Sequence, residues 1–171
     1  MGFSRDITTG MIILGIDPGY ARVGWAIIHH EKATLKPIAF GCLETSKDTP
    51  LERRLEAVYD AMITLMRTYK PDTLAIEDLF FAANAKTAIA VGQSRGVVLL
   101  AASKRGIPVV SYSPLTVKRT ITGDGKADKR QITRMVVLTL RLKETPKLDD
   151  TADALAIAMT HAYSHVMKKF V

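Results

Sequence analysis

The chain has 171 residues, 47% hydrophobic and 24% charged, a composition that predicts one soluble, globular domain with a sizeable core. Its single cysteine, Cys42, excludes an intrachain disulfide, and without Cys/His clusters it argues against zinc and for a reducing, cytoplasmic setting. The longest helix-like apolar stretch is too short to span a bilayer, and the opening MGFSRDITTG lacks a signal-peptide core, so no membrane role is expected.

The net charge of +7 is unevenly spread. From Ala101 to Leu148, eleven Lys and Arg stand against three acids, giving +8 there and −1 over the rest. Such segregation predicts a face for a polyanion, with nucleic acid the leading candidate in the cytoplasm.

In chain order, Met11 to Ile16 is a short, β-branched run typical of a strand buried on both faces. Pro18-Gly19 ends it, leaving Asp17 near its last paired position. Val23 to His30 and Thr34 to Leu43 read as two more strands on short connections, hence an antiparallel meander, with Trp25 in the core. Thr49-Pro50-Leu51-Glu52 predicts a helix start, with Thr49 as N-cap, Pro50 at the first helical position and Glu52 closing a capping box. Leu51, Leu55, Val58, Met62, Leu65 and Tyr69 follow at helical spacing as core residues, and Pro71 ends the pattern.

A strand over 73–77 comes next, then a helix from about Asn84 to Arg105 stopped by Gly106, and a strand from Ile107 to Tyr112. Gly92 and Gly96 give that helix a smooth face, read as close packing on the sheet, with a subunit contact as the second possibility. Helices over Pro114 to Ile121, Lys129 to Leu142 and Asp149 to Met167 complete the chain. The order predicts an α/β fold in which the first, fourth and fifth strands are parallel neighbours and helices cover the sheet. Ligands in such sheets gather at the carboxyl ends of the parallel strands.

Asp17 and Glu77 would project from that rim a strand spacing apart. Asp150 and Asp153, three apart on the last helix, share one face and could complete a cluster of four carboxylates. Each has a plainer role available: a solvated strand end for Glu77, and a cap or first-turn acid for the helix pair. Four close carboxylates repel unless cations hold them, and hard oxygen ligands suit magnesium or manganese. Two ions ~3.5–4 Å apart can activate water on one side of a phosphodiester and stabilise the leaving oxygen on the other.

Four motifs in order, "ILGIDPG" at 13–19, "AIEDLF" at 75–80, "GQSRGV" at 92–97 and "DTADALAIAMTH" at 150–161, resemble the RuvC family of Holliday-junction resolvases in the ribonuclease H-like superfamily. The resemblance runs from Met11 nearly to the end, and implies a ribonuclease H-like mixed five-stranded sheet and a homodimer nicking four-way junction DNA symmetrically in recombination and repair. It implies Asp17, Glu77, Asp150 and Asp153 as the catalytic, metal-binding set, and partnership with the RuvA and RuvB branch-migration proteins. It places Phe80 where an aromatic stacks on a junction base, worth roughly 1–3 kcal/mol, with a core or lid phenylalanine as the alternative. Lys118 and Lys129 match basic positions near the site. With Arg119 and Arg130 they form the expected DNA-binding set.

Residues 1–10 precede the family's usual start and read as a flexible extension to a single nuclease domain over 11–171, with Met11 itself a plausible initiator. Asp149, beside Asp150, is an extra carboxylate. His161, two turns from the acids, reads as a satisfied structural histidine rather than a general base. The alternatives are a ribonuclease H-like nuclease on an RNA-containing substrate and a non-catalytic junction-binding module.

Overall fold

The computed structural model describes residues 10–78 and 85–168. The apolar opening run is strand β1 (Met11–Asp17), followed by β2 (Arg22–Glu31), β3 (Thr34–Glu44), α1 (Leu51–Tyr69) and β4 (Thr73–Glu77). Then come α2 (Ala85–Lys104), β5 (Val109–Tyr112), α3 (Pro114–Thr122), α4 (Lys129–Leu140) and α5 (Asp149–Lys168). The strands form one sheet in the order β3-β2-β1-β4-β5. The first three make the antiparallel meander, and β4 and β5 continue it in parallel with β1.

Because successive side chains on a strand point to opposite faces, each strand feeds two cores. On the back face, Leu14, Ile16, Ile27, Leu74 and Ile76 pack with Val58, Met62 and Met66 of α1 and with Val98, Ala101 and Ala102 of α2. On the front, Ile13, Ala26, Ile28 and Ala75 meet α5 through Ala154, Leu155 and Ala158, with Val117, Val136 and other residues of α3 and α4 around them.

The start of α1 differs from expectation. Pro50 is itself the N-cap and no side chain caps the helix, so Thr49 and Glu52 form no capping box. The extended backbone of Pro50 turns its carbonyl to the Arg53 and Arg54 amides, 3.1 Å from each, and the helix begins one residue later. Leu51, expected in the core, is exposed at the first helical position, while Arg54 is buried. Its guanidinium donates to the Tyr20 carbonyl and, at 3.0 Å, to the Thr45 hydroxyl, and lies over the Tyr20 ring. Apolar spacing has no means of finding an arginine buried by its hydrogen bonds. Trp25, expected in the core, is half-buried beside the back-face cluster.

Gly96 is exposed, and a Cβ there would meet nothing within 4 Å, so the expected close packing on the sheet does not occur at Gly96; α2 buries its other side, through Val98, Ala101 and Ala102. β5 starts at Val109 rather than Ile107, because the Ile107 amide closes the end of α2 on the Ala102 carbonyl and Pro108 has no amide to give. α4 stops at Leu140, where Arg141 turns into the left-handed region.

Candidate active site

The front face brings the acids together. On β1, Asp17 follows Ile13 and Gly15 at the two-residue period, so it shares the side that meets α5; on β4, Glu77 follows Ala75 in the same way. Ile16 pairs with Ile76, which makes Asp17 and Glu77 next neighbours at the carboxyl end of the parallel pair, about 4.8 Å apart in backbone.

Two glycines seat the helix that carries the other two. A Cβ at Gly24 would run into the Asp150 backbone carbonyl, and one at Gly15 into the Ala154 carbonyl and the Ala158 side chain. Gly24 pairs with Asp17 across β1 and β2, so the first turn of α5 rests on the strand position beside Asp17. The pattern could have been found in the sequence, since each glycine interrupts an otherwise bulky strand, and glycine in a strand marks close backbone approach.

All four carboxylates are half-buried. Burial, then the charges of Glu77, Asp153 and Asp150, pushes the Asp17 carboxyl well above its ordinary range. Burial and Asp153 raise Glu77 to about 7, with Lys129 and Lys118 opposing. Burial also raises Asp153, although Lys129 pulls the other way. Burial works against charge on Lys129, but the charge and hydrogen bond of Asp153 outweigh it and raise the lysine's pKa. Cations stand against the helix pair: Lys129 Nζ is 3.1 Å from Asp153 Oδ2, and Arg22 Nε is 3.2 Å from Asp150 Oδ2. The second contact is an ion pair without hydrogen-bond alignment, so buried Asp150 Oδ2 accepts no hydrogen bond.

With Asp150 and Asp153 turned onto these cations, no three His, Cys, Asp or Glu among the described residues form a ready-made metal cage. The donor set nevertheless fits a hard divalent ion, being all oxygen, crowded enough to resist ionisation and with one buried oxygen lacking a donor.

Of the basic residues expected to contact DNA, Lys129 touches the acids directly and half-buried Lys118 acts on Glu77 through its charge. Arg130 is exposed, lining with Lys129, Thr133 and Arg134 an open groove between α4 and the start of α5. Arg119, also exposed, lies along Gly125. Phe80 lies outside the described residues. His161 is buried, its Nδ1 2.9 Å from the Tyr112 hydroxyl, as a structural histidine should be. Burial pushes the Cys42 thiol up to about 11, which leaves it unreactive near neutral pH.

Composition and periodicity missed two arginines. Arg22 pairs with Asp150 as described, and Arg95, in the middle of α2, reaches the backbone of Glu77.

Comparison with known proteins identifies the family. The family model for "Crossover junction endodeoxyribonuclease RuvC" matches residues 13–161. The chain belongs to the RuvC family of crossover junction endodeoxyribonucleases. RuvC of Brevibacillus brevis is 50% identical over 152 residues, 89% of this chain and 92% of that protein. RuvC of Desulforamulus reducens is 51% identical over 152 residues, 89% of this chain and 93% of that one. Among solved structures, T. thermophilus RuvC in complex with Holliday junction substrate superposes with a TM-score of 0.88 at 34% identity, over 92% of this chain and 96% of that one. The expected ribonuclease H-like sheet is the observed one. As a member of the RuvC family, the protein is a DNA-cleaving hydrolase that resolves four-way junctions.

Proposed function

We propose that Asp17, Glu77, Asp150 and Asp153 hold two divalent ions, magnesium or manganese, and that the site cuts a phosphodiester in each of two opposed strands of a four-way junction. The observation that carries the reading is the meeting of four half-buried carboxylates at one strand rim, with Asp17 and Glu77 raised by burial and by neighbouring carboxylates. Bound there, the ions would supply an activated water and stabilise charge on the leaving oxygen. The chain's own residues do the rest. The rigid ends of β1 and β4 hold Asp17 and Glu77, the close-seated turn of α5 holds Asp150 and Asp153, and Lys118 and Lys129 steady the negative phosphate. Arg119 and Arg130 extend the basic surface along the backbone, and Phe80 stacks on a base at the junction centre.

Symmetric nicking requires two such sites, and we infer a homodimer. Its support is the outer face of α2, where exposed Ile89, Gly96 and Leu100 recur at helical spacing. Cooperation with RuvA and RuvB branch-migration proteins, and a cytoplasmic setting for the reduced Cys42, belong to the same reading.

The test is incubation of labelled four-way junctions and matched linear duplexes with the protein in magnesium, in manganese and in chelator. Paired nicks on the junction alone, lost in chelator, are expected. Asp17→Asn should abolish cutting while leaving junction binding intact, because the basic segment is untouched. Unchanged cutting by that variant sinks the metal-site reading. Tight binding with no cutting in either ion would favour a binding module, and preference for RNA-containing substrate a ribonuclease.

A further inference from the structure

Arg95 stands out because it is charged, lies in the middle of a helix, and is mostly withdrawn from solvent, its side chain only 18% exposed. Taking a guanidinium out of water is costly, and an apolar residue of similar size would pack α2 on the sheet at least as well. Its contacts show what it does instead. Nε donates to the Glu77 carbonyl at 3.2 Å, and Nη2 donates to Ser111 Oγ at 2.7 Å and to Asp78 Oδ1 at 3.2 Å. One planar fork therefore ties together the carboxyl ends of β4 and β5.

The direction of the grip matters. Val109 packs with the back-face core, so Ser111, two residues on, points to that same side, where α2 lies. Glu77 projects to the front with Ala75. Arg95 thus holds the backbone of Glu77 from behind while its carboxylate stands free to act in front. Past Glu77, the bond from the Asp78 amide to the Tyr112 carbonyl, 2.9 Å, is the last between the two strands among the described residues, so the Arg95 contacts fall at the end of the described ladder. Asp78 is also a fifth carboxylate beside the cluster, and its charge is among those that resist ionisation of Glu77.

We propose that Arg95 is the positioning residue for Glu77, fixing from the back of the sheet the backbone that carries this ligand and keeping the Asp78 carboxylate out of the acid cluster. The proposal rests on the reading of Glu77 as a metal ligand. Partners that orient metal ligands typically contribute about 10–100-fold to ion affinity or activity.

The experiment measures the magnesium concentration at half-maximal junction cleavage, the magnesium-dependent rise in thermal unfolding midpoint, and junction binding in chelator, for wild type, Arg95→Met, Arg95→Lys and Arg95→Met/Asp78→Asn. Arg95→Met should need ~10–100-fold more magnesium in both ion-dependent readouts, with junction binding in chelator unchanged. Arg95→Lys, which keeps the charge but not the fork, should fall between it and wild type, and it serves as the main variant if Arg95→Met does not fold. The double variant should recover part of the loss. Wild-type magnesium dependence in Arg95→Met or Arg95→Lys overturns the proposal, as does a defect confined to junction binding, and a double variant no better than the single overturns the part assigned to Asp78. A wild type whose cutting and melting both ignore magnesium overturns the metal-site reading itself, an outcome distinct from these.

Discussion

The two faces of the sheet differ in one part of their packing. The back is filled with large side chains, Leu14, Ile16, Ile27, Leu74 and Ile76 against Val58, Met62 and Met66. The front also buries large side chains, Ile13, Ile28, Leu155 and Met159 among them, but where α5 crosses the strands it adds small ones, Gly15, Gly24, Ala26 and Ala75 against Ala154 and Ala158. Large residues supply most of the stabilisation, roughly 1.5–3 kcal/mol for each fully buried aliphatic side chain. Small ones supply little by area, but they let a helix backbone touch a strand backbone. Both faces hold the molecule together, and only the front gives up packing area, at its glycines and alanines, where two carboxylates come beside two others.

If that division is correct, the largest loss of function should come from adding atoms at the front. In Gly24→Val the new Cβ meets the Asp150 carbonyl, a backbone atom that cannot swing aside, so the first turn of α5 must lift from the strand end. Overpacking of this kind costs about 1–3 kcal/mol, and displacing catalytic groups by about 1 Å lowers cleavage ~100-fold. Thermal melts and junction cleavage on the same sample separate the two effects. Wild-type cleavage would show that the close seat is not what places the acids.

Removing atoms at the back should do the reverse. Met62 is fully buried, so Met62→Ala should cost ~2–5 kcal/mol of stability while the folded fraction cuts junctions at the wild-type rate. A cleavage defect beyond the loss of folded protein would mean that the back core also tunes the site.

The acids leave a smaller signature in pH. Glu77 is raised from 4.5 to about 7 in the fold, so the folded state prefers it protonated. Its contribution to stability is complete below its unfolded value and is lost as pH rises from about 4.5 to about 7, and Asp17 is shifted in the same direction. In chelator the unfolding midpoint should therefore fall across this window more steeply for wild type than for Glu77→Gln. Magnesium should reduce the fall by giving the ionised carboxylates a counter-charge. Parallel slopes for the two proteins in chelator would show that Glu77 is not held up by its surroundings.

The smallest effect is expected at Gly96, on the outer side of α2, where an added Cβ meets nothing. Gly96→Ala should stabilise the fold by roughly 0.5–1 kcal/mol through helix propensity, with the magnesium-dependent rise in melting temperature unchanged. A loss of stability would mean that the dimer proposed on this face packs closely against Gly96 itself rather than through Ile89 and Leu100.

Much of this was legible before any coordinates. Runs of β-branched residues, helical spacing and turn signals located the strands and the helices to within a few residues, and the parallel order of the first, fourth and fifth strands followed from the alternation of strands and helices. Local rules failed where a competing contact intervened. Pro50 capped α1 through its own backbone, Leu51 stayed exposed, and Arg54 was buried and Arg95 largely withdrawn from solvent by hydrogen bonds that a hydrophobic pattern does not register.

By itself the sequence determined the elements and the basic segment and singled out the four acids as candidates, because these depend on neighbours along the chain and on ordered motifs. Tertiary structure decided how those acids meet. Only in the folded sheet do Gly15 and Gly24 become a seat for α5, do Arg22 and Lys129 come to face Asp150 and Asp153, and does Arg95 reach through to the back of Glu77. Each is a contact between residues far apart in sequence, and its energy depends on burial and on charges that come together only when the sheet and its helices are assembled.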